Sequence, residues 1–428
     1  MSSGIQSAAR AIHEIAALFD LNGPVKVFDF AEKGNINLES YLVAAGSSAD
    51  RKEYILQLLN PDVFSQPRRV MDAMIACIKA QQKALSEGLL ENNDEWEPIR
   101  LVPTKEGSPY LEIPNKEGLQ CWRMMARFPN VCTYRRLGEI GETQTRLRVA
   151  EEAARGMALF RILTADMDVS QIESPLPGYR DTRLYYDQLL SVLAGNRTPA
   201  EAGDHLPLDP IVRESTERHY IVHSSPAQYR RRLEDPQLTP FIAVALEQRS
   251  FALMLVEKLA CGELQKAVIH GDTKLENFLF SSSSGRVKSI IDLDTVMPHT
   301  WLTDWGDMVR SLVNTAGETE SDPERIEIDP EVFSVAARGF LGSARYIDPQ
   351  EIELMADAPQ IMALELGVRF LADYLRGDSY FKLRVGDPED LNKTRALVQF
   401  RVFEGLRRAA ASARVNIEEL STRFFRAR

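Results

Sequence analysis

The chain has 428 residues, 44% hydrophobic and 26% charged, the composition of a folded globular protein and not of a disordered or low-complexity one. With 62 acidic against 51 basic side chains its net charge is −11, a sign that opposes general binding to nucleic acid or anionic membrane while leaving room for a local phosphate pocket. No window approaches 18 uninterrupted apolar residues, and the N-terminus lacks the basic start and apolar block of a secretion signal.

In chain order, Ile5, Ala8, Ile12, Ile15, Ala16 and Phe19 recur at helical spacing. The apolar runs VKVFDF, SYLVAA and EYILQLL, separated by the turn-rich EKGNIN and GSSADR, predict an antiparallel sheet with tight connections. A helix is expected over Pro67 to Leu90, with Val70, Met74, Cys77 and Ile78 on one face. Two further strand-like runs, IRLVP and QCWRMMARF, complete a small α+β unit. From Glu139 the pattern is helical: RLRVAEEAARGMALFRILTA, YYDQLLSVLAG, then FIAVALEQRSFALMLVEKLACGEL. A strand-rich island interrupts it between Ala267 and Val296. Helices resume through VFSVAARGFL, QIMALELGVRFLADYL and VQFRVFEGLRRAAASARV. Cys77, Cys121, Cys132 and Cys261 form no Cys-x-x-Cys pair, which predicts reduced thiols in a cytoplasm and no structural zinc.

The island carries the chemistry. A strand ends at His270-Gly271-Asp272, a polar loop runs to Asn277, and Asn277-Phe278-Leu279-Phe280 re-enters as a strand. SSSSGR turns, and VKSII returns to Asp292-Leu293-Asp294. Such a hairpin brings its two ends together, so Asp272, Asn277, Asp292 and Asp294 are expected to converge. Oxygen ligands without imidazole or thiolate suit Mg²⁺, and Asn277 and Asp292 supply them. Asp272 is then left to orient a hydroxyl and accept its proton, and Lys274 to neutralise a phosphoryl group. Base, metal ligands and cation together are the parts for phosphoryl transfer to an alcohol. The H-x-D-x-x-x-x-N spacing followed by D-x-D matches the protein-kinase catalytic loop and metal-binding Asp. Asp294 has two readings, a further metal ligand or a local hydrogen-bond acceptor. His270 is read as holding the loop from beneath, Asp304 as the N-cap of the helix DMVRSL, and Asp307 as a first-turn carboxylate.

HGDxxxxN with a downstream IDxD resembles the aminoglycoside phosphotransferase and choline kinase superfamily. Within it, HGDTKLENFLF and IDLDTVMPHTWLTDWGDMVRS are most similar to the N-acetylhexosamine 1-kinases. GNINLESYLV, YILQLLNPDVF, CWRMMARFPNVCTY and LELGVRFLADYLRGDSYFK resemble further blocks of that family, in order, over roughly residues 34 to 400. The resemblance implies an α+β, protein-kinase-like fold, with a small antiparallel-sheet lobe over residues 1–127 and a large, mostly helical lobe over 128–428. It implies ATP and Mg²⁺ as cofactors, Asp272 as base, and Asn277 with Asp292 on the metal. Gly34 and Asn35 fall at the tip of the loop that covers the phosphates, Gln57 at the position where a protein kinase has its phosphate-pairing Lys, and Arg369 and Tyr380 on positions that contact the sugar. Gly271 stands where this family usually has Asn, and His299 where it usually has Gly. The expected activity is transfer of the ATP γ-phosphoryl group to a sugar hydroxyl, most specifically the anomeric one of an N-acetylhexosamine. Two other readings are a kinase for a different small alcohol, such as an aminoglycoside, another sugar or a cyclitol, and a catalytically silent nucleotide-binding protein. The silent protein has no chemical need of Asp272, Asn277 and Asp292 together.

Overall fold

The computed structural model describes residues 11–425 except 31–35, 38, 48–49, 92–93, 116–117 and 346. Gly34 and Asn35 therefore lie outside the described residues. Alternating apolar and polar positions build five antiparallel strands: β1 (Val25–Asp29), β2 (Ser40–Ala45), β3 (Lys52–Leu58), β4 (Leu111–Asn115) and β5 (Gly118–Ala126), in the order β1-β2-β3-β5-β4. Successive side chains of β5 point to opposite faces. Trp122 and Met124 join Val43, Leu56, Val102, Ala16 and Phe19 in a small core on one side. Cys121 joins the main core on the other side, where helix α1 (Pro67–Ser86) packs its Val70, Met74 and Cys77. Pro67 sits in the first turn of α1, where a missing N–H costs nothing. The register sets Ser40 opposite Gln57 and Gln57 opposite Arg123, so three polar side chains lie in a row across the sheet.

Two strand expectations are corrected. IRLVP forms no strand and makes one isolated bridge, Leu101 to Met125. Pro98 precedes it and Pro103 is its last residue, and proline cannot donate to a ladder. LEIPN, not expected as a strand, is β4, the sheet edge where Pro114 is tolerated.

The remainder is mostly helical, in agreement with the α+β layout read from the sequence: α2 (Thr143–Leu163), α3 (Thr182–Leu193), α4 (Thr239–Glu247), α5 (Arg249–Ala260), α6 (Trp301–Val313), α7 (Pro330–Ser343), α8 (Ala358–Arg376) and α9 (Leu391–Phe425), besides shorter turns. Every residue of α8 except Arg369 is buried, the mark of a helix packed on all sides. Gly377, in the left-handed region at φ 115°, stops α8, and the Asp373 carboxylate then holds the following turn through the backbone N–H groups of Tyr380 (2.9 Å) and Phe381 (2.8 Å). Among the described residues Thr239–Ala260 is long and apolar enough to cross a membrane by length and composition alone, with a mean hydropathy of 1.3. In the fold it breaks at Gln248 into α4 and α5, which set Phe241, Ala245, Ala252 and Leu255 into the main core.

Strands of the island lie between these parts. β6 (Val131–Cys132), β8 (Phe278–Ser281) and β9 (Val287–Ile290) form one sheet in the order β6-β8-β9, while β7 (Ala267–Ile269) pairs with β10 (Met297–His299). The expected hairpin is thus β8–β9, and it delivers the start of one strand and the end of the other to the same place.

Candidate active site

The loop from His270 to Asn277 is clamped from beneath. His270 is fully buried, and its Nε2–H donates to the Ile291 carbonyl at 2.8 Å, which leaves Nδ1 to accept from the Asp272 N–H at 3.3 Å. Asp304 accepts from the backbone N–H groups of His270 (2.7 Å) and Gly271 (2.8 Å). It is not the helix cap expected from the sequence: α6 begins three residues earlier, and Thr300 caps it by accepting from the Leu302 N–H. Asp307 accepts from the Thr273 N–H at 3.3 Å and ion-pairs with Arg310 and Arg180. Burial alone would push its carboxyl up, but those two guanidinium groups hold it well below the usual carboxylate range. Gly271 has φ 84°, and a Cβ there would come within 2.6 Å of the Thr295 carbonyl oxygen, so glycine suits this backbone where a side chain would have to displace it. The Gly271 carbonyl accepts from the Tyr179 hydroxyl (3.0 Å) and from Arg180 Nε (3.2 Å) and Nη2 (2.6 Å).

On this support the side chains singled out in the sequence meet. Lys274 Nζ lies 3.0 Å from Asp272 Oδ2 and 3.0 Å from Glu276 Oε1. Burial would raise the Asp272 carboxyl, but the Lys274 ammonium outweighs it, so Asp272 is held below its ordinary value and stays ionised near neutrality. The Asn277 amide donates to the Asp272 backbone carbonyl (2.8 Å) and carboxylate (3.2 Å), which turns its Oδ1 away from them. Asp292 follows β9 in the left-handed region at φ 65°, a conformation that costs energy outside glycine and is held here by its surroundings. Its side chain reaches solvent, yet protein on most sides pushes its carboxyl up to about 6, with Asp294 adding to the effect and Lys274 opposing it. Among the described residues no hydrogen bond reaches the Asp292 carboxylate. A carboxylate raised in this way, beside a carboxamide oxygen turned outward, fits a hard divalent cation. No group of three or more His, Cys, Asp or Glu side chains suited to a metal occurs among the described residues, so any cation here would complete its shell from substrate phosphates and water.

Asp294 is engaged elsewhere. It is 3% exposed; one carboxylate oxygen pairs with Arg123 and the other accepts from Asn37 Nδ2 at 2.6 Å. Gln57 takes part in the same network, its Oε1 accepting from Arg123 Nε (3.1 Å) and Nη2 (2.5 Å) and its Nε2 donating to Ser40 Oγ (3.1 Å). Sequence reasoning passed over Arg123, although a lone arginine inside the apolar strand CWRMM is itself a signal of a buried partner. It also passed over Arg180, which the turn GYRD does nothing to announce.

Arg369 and Tyr380 come together, Nη2 to hydroxyl at 3.5 Å. The guanidinium lies among four rings, with its carbon 4.7 Å from Tyr185, 5.3 Å from Tyr179, 5.4 Å from Phe381 and 5.6 Å from Tyr380. Tyr179 links this cage to the Asp272 loop through its hydrogen bond to Gly271. A cavity of about 290 Å³ opens beside it, lined in part by Tyr179, Asp181, Lys266 and His299. A larger one, about 600 Å³, lies behind α1 among Asp72, Lys79, Lys83, Ile162 and Asp166, away from the Asp272 cluster.

The profile of the phosphotransferase enzyme family, APH, matches residues 28–327, more than two thirds of the chain. Three solved structures share the fold. A microcompartment-associated aminopropanol kinase is 12% identical, with a TM-score of 0.55 over 96% of this chain and 99% of its own. An aminoglycoside phosphotransferase from Alicyclobacillus acidocaldarius subsp. acidocaldarius is 14% identical, with a TM-score of 0.53 over 95% and 96%. An amicoumacin kinase in complex with AMP-PNP, Ca²⁺ and Ami is 14% identical, with a TM-score of 0.52 over 94% and 96%. The fold is therefore the two-part, kinase-like one expected from the sequence.

Proposed function

This chain belongs to the phosphotransferase enzyme family, and from that premise we propose that it transfers the γ-phosphoryl group of ATP to a sugar hydroxyl, most specifically the anomeric one of an N-acetylhexosamine. The observation that carries the phosphotransfer reading is the meeting of Asp272, Lys274, Asn277 and Asp292 at the ends of one hairpin. Asp272 orients the acceptor hydroxyl and takes its proton as the new P–O bond forms and the bond to the β-phosphate oxygen breaks, releasing ADP. Lys274, already paired with Asp272, neutralises charge on the group in transfer. Asn277 and Asp292 would hold Mg²⁺, which would supply positive charge to the phosphate oxygens. Asp294 leaves this set, because both its oxygens are satisfied by protein donors. Gly34, Asn35 and Gln57 belong to the nucleotide side, and the boundary between the two lobes falls after residue 127. The protein acts in the cytoplasm, where four free thiols remain reduced.

The sugar assignment rests on IDLDTVMP and VRFLADYLRGDSYFK together with the closeness of Arg369 and Tyr380. A caged guanidinium favours an acceptor that offers oxygen atoms and opposes one bearing an ammonium group, so cationic alcohols are the weaker reading. The test is an ADP-release screen with Mg²⁺ over N-acetylhexosamines, their methyl glycosides, amino sugars and aminoglycosides. Consumption of a reducing N-acetylhexosamine but not of its methyl glycoside, with an acid-labile 1-phosphate as product, is expected. Comparable turnover of the methyl glycoside, or phosphate on carbon 6, overturns the anomeric assignment.

A further inference from the structure

Protein kinases pair a lysine on the third strand with a glutamate on the helix behind it, and this pair must be in place for phosphoryl transfer. Neither partner exists here. Gln57 stands on β3, and α1 presents Met74 to the sheet, its sulfur 3.4 Å from Arg123 Nη1. The single acidic residue of α1, Asp72, is exposed on the other side. A buried ion pair nevertheless joins the sheet to the island: Arg123 of β5 with Asp294, the side chains 2% and 4% exposed.

We infer that Asp294 is a positioning residue that locks the stem of the β1–β2 connection and the sheet onto the Asp292 turn, with the Arg123–Asp294 pair standing in for the lysine–glutamate pair of protein kinases. The geometry is a closed ring of contacts. Asp294 accepts from Arg123 on one side and from Asn37 Nδ2 on the other. Asn37 Oδ1 accepts from the Asn60 N–H at 2.9 Å, and the Asn37 carbonyl accepts from Ser40 Oγ at 2.8 Å. Ser40 Oγ in turn accepts from Gln57, and Gln57 accepts twice from Arg123. The ring closes on Asp294, two residues from Asp292. Nearly every polar atom in it has its partner inside it, which is the condition under which a buried polar network rigidifies its surroundings. Arg123 has Nε, Nη1 and Nη2 all committed to protein acceptors, so it acts on the phosphate site through Asp294 and not by touching a ligand. Asn37, just ahead of β2, is thereby tied through Asp294 to the turn that carries Asp292.

The inference rests on the kinase reading for the role of Asp292, but its first test needs neither nucleotide nor acceptor. Amide hydrogen exchange is measured on the metal-free protein for wild type, Asp294→Asn, Asn37→Ala and Arg123→Met, with Asp292→Ala as control. Asp294→Asn and Asn37→Ala should each speed exchange in β2 and at the Asn60 amide by about tenfold or more, the loss of at least one buried hydrogen bond, while Asp292→Ala leaves that region unchanged. If Arg123→Met does not fold, the Asn37→Ala protein carries the test alone, since it keeps both charges of the pair. The second readout is ADP binding by calorimetry across a Mg²⁺ titration. Asn37→Ala and Asp294→Asn should weaken binding alike. A shift of the Mg²⁺ midpoint in Asp294→Asn alone, with exchange in β2 unchanged, would instead make Asp294 a metal ligand and overturn the inference. Failure to phosphorylate any sugar would overturn the proposed acceptor and leave the exchange result standing.

Discussion

Arg180→Met tests whether the floor beneath Asp272 is held by charge. Arg180 is 3% exposed and bonds Glu365 Oε1 at 3.0 Å, Asp307 Oδ2 at 2.8 Å and the Gly271 carbonyl twice. Methionine fills much of the stem volume, so the loss is mainly electrostatic. Asp307 keeps Arg310 and the Thr273 N–H. Glu365, 1% exposed, keeps only the Thr182 hydroxyl at 2.6 Å and becomes the stranded charge. A buried carboxylate stripped of its partner costs about 3–5 kcal/mol. With an unfolding entropy near 2.1 cal/mol/K per residue, a chain of this length should lose about 3–6 °C in Tm. Adding Glu365→Gln removes the stranded charge and should restore about half of that loss. Activity should behave differently. The Gly271 carbonyl retains only Tyr179, and a displacement of about 1 Å at Asp272 costs on the order of 10²-fold, so turnover should drop and stay low in the double variant. Calorimetric melting and ADP-release kinetics on the same preparations read both quantities. A Tm within about 1 °C of wild type, or a double variant no more stable than the single, refutes the assignment of Glu365 as the stranded partner.

Asp272→Asn keeps the shape but cannot take the proton, and turnover should fall by about 10²–10⁴-fold with nucleotide affinity preserved; retention of more than about one-tenth of wild-type turnover would remove Asp272 from the base role. Asp292→Ala should sharply raise the Mg²⁺ concentration needed for half-maximal rate, and normal turnover at low millimolar Mg²⁺ would place the metal site elsewhere. Arg369→Met should raise KM for the acceptor by about tenfold or more and leave KM for ATP unchanged, the signature of lost substrate-side binding; equal effects on both would make Arg369 a support of the helical core. Burial pushes the His299 imidazole from its ordinary 6.5 down to about 4. The unfolded chain therefore takes up the extra proton as pH falls from 6.5 to 4, and stability declines through that window by up to about 3 kcal/mol. His299→Gln should flatten this slope in denaturant titrations at pH 7 and 4.5, and coincident pH profiles for both proteins would exclude His299 as its source.

What was legible in the sequence is what depends on short spacing. The interval from His270 to Asn277 and the return to Asp292 are set by one loop and one hairpin, so their convergence follows from strand direction and turn residues alone. Gly377 and the turn that brings Tyr380 back toward Arg369 are likewise local, because a left-handed glycine ends the helix wherever α8 happens to pack. IRLVP misled for a related reason: an apolar run reads as a strand until the prolines before it and at its end are weighed against the ladder they cannot join. Arg180 and Asp304 were beyond reach. Their partners lie 91 residues away at Gly271 and 34 residues away at His270, and no periodicity encodes such a distance. Asp304 also looked like a cap, since a carboxylate near a helix start satisfies backbone N–H groups of its own helix as readily as those of another loop. The reach of Asp294 is the longest of these. Its two partners, Arg123 and Asn37, are 171 and 257 residues away. The sequence by itself determined which residue types could do phosphoryl chemistry and which of them share a hairpin. Only the tertiary structure decided which carboxylates are paired with protein donors and which are left without one, because that depends on sheet register, helix packing and burial acting together across the whole chain.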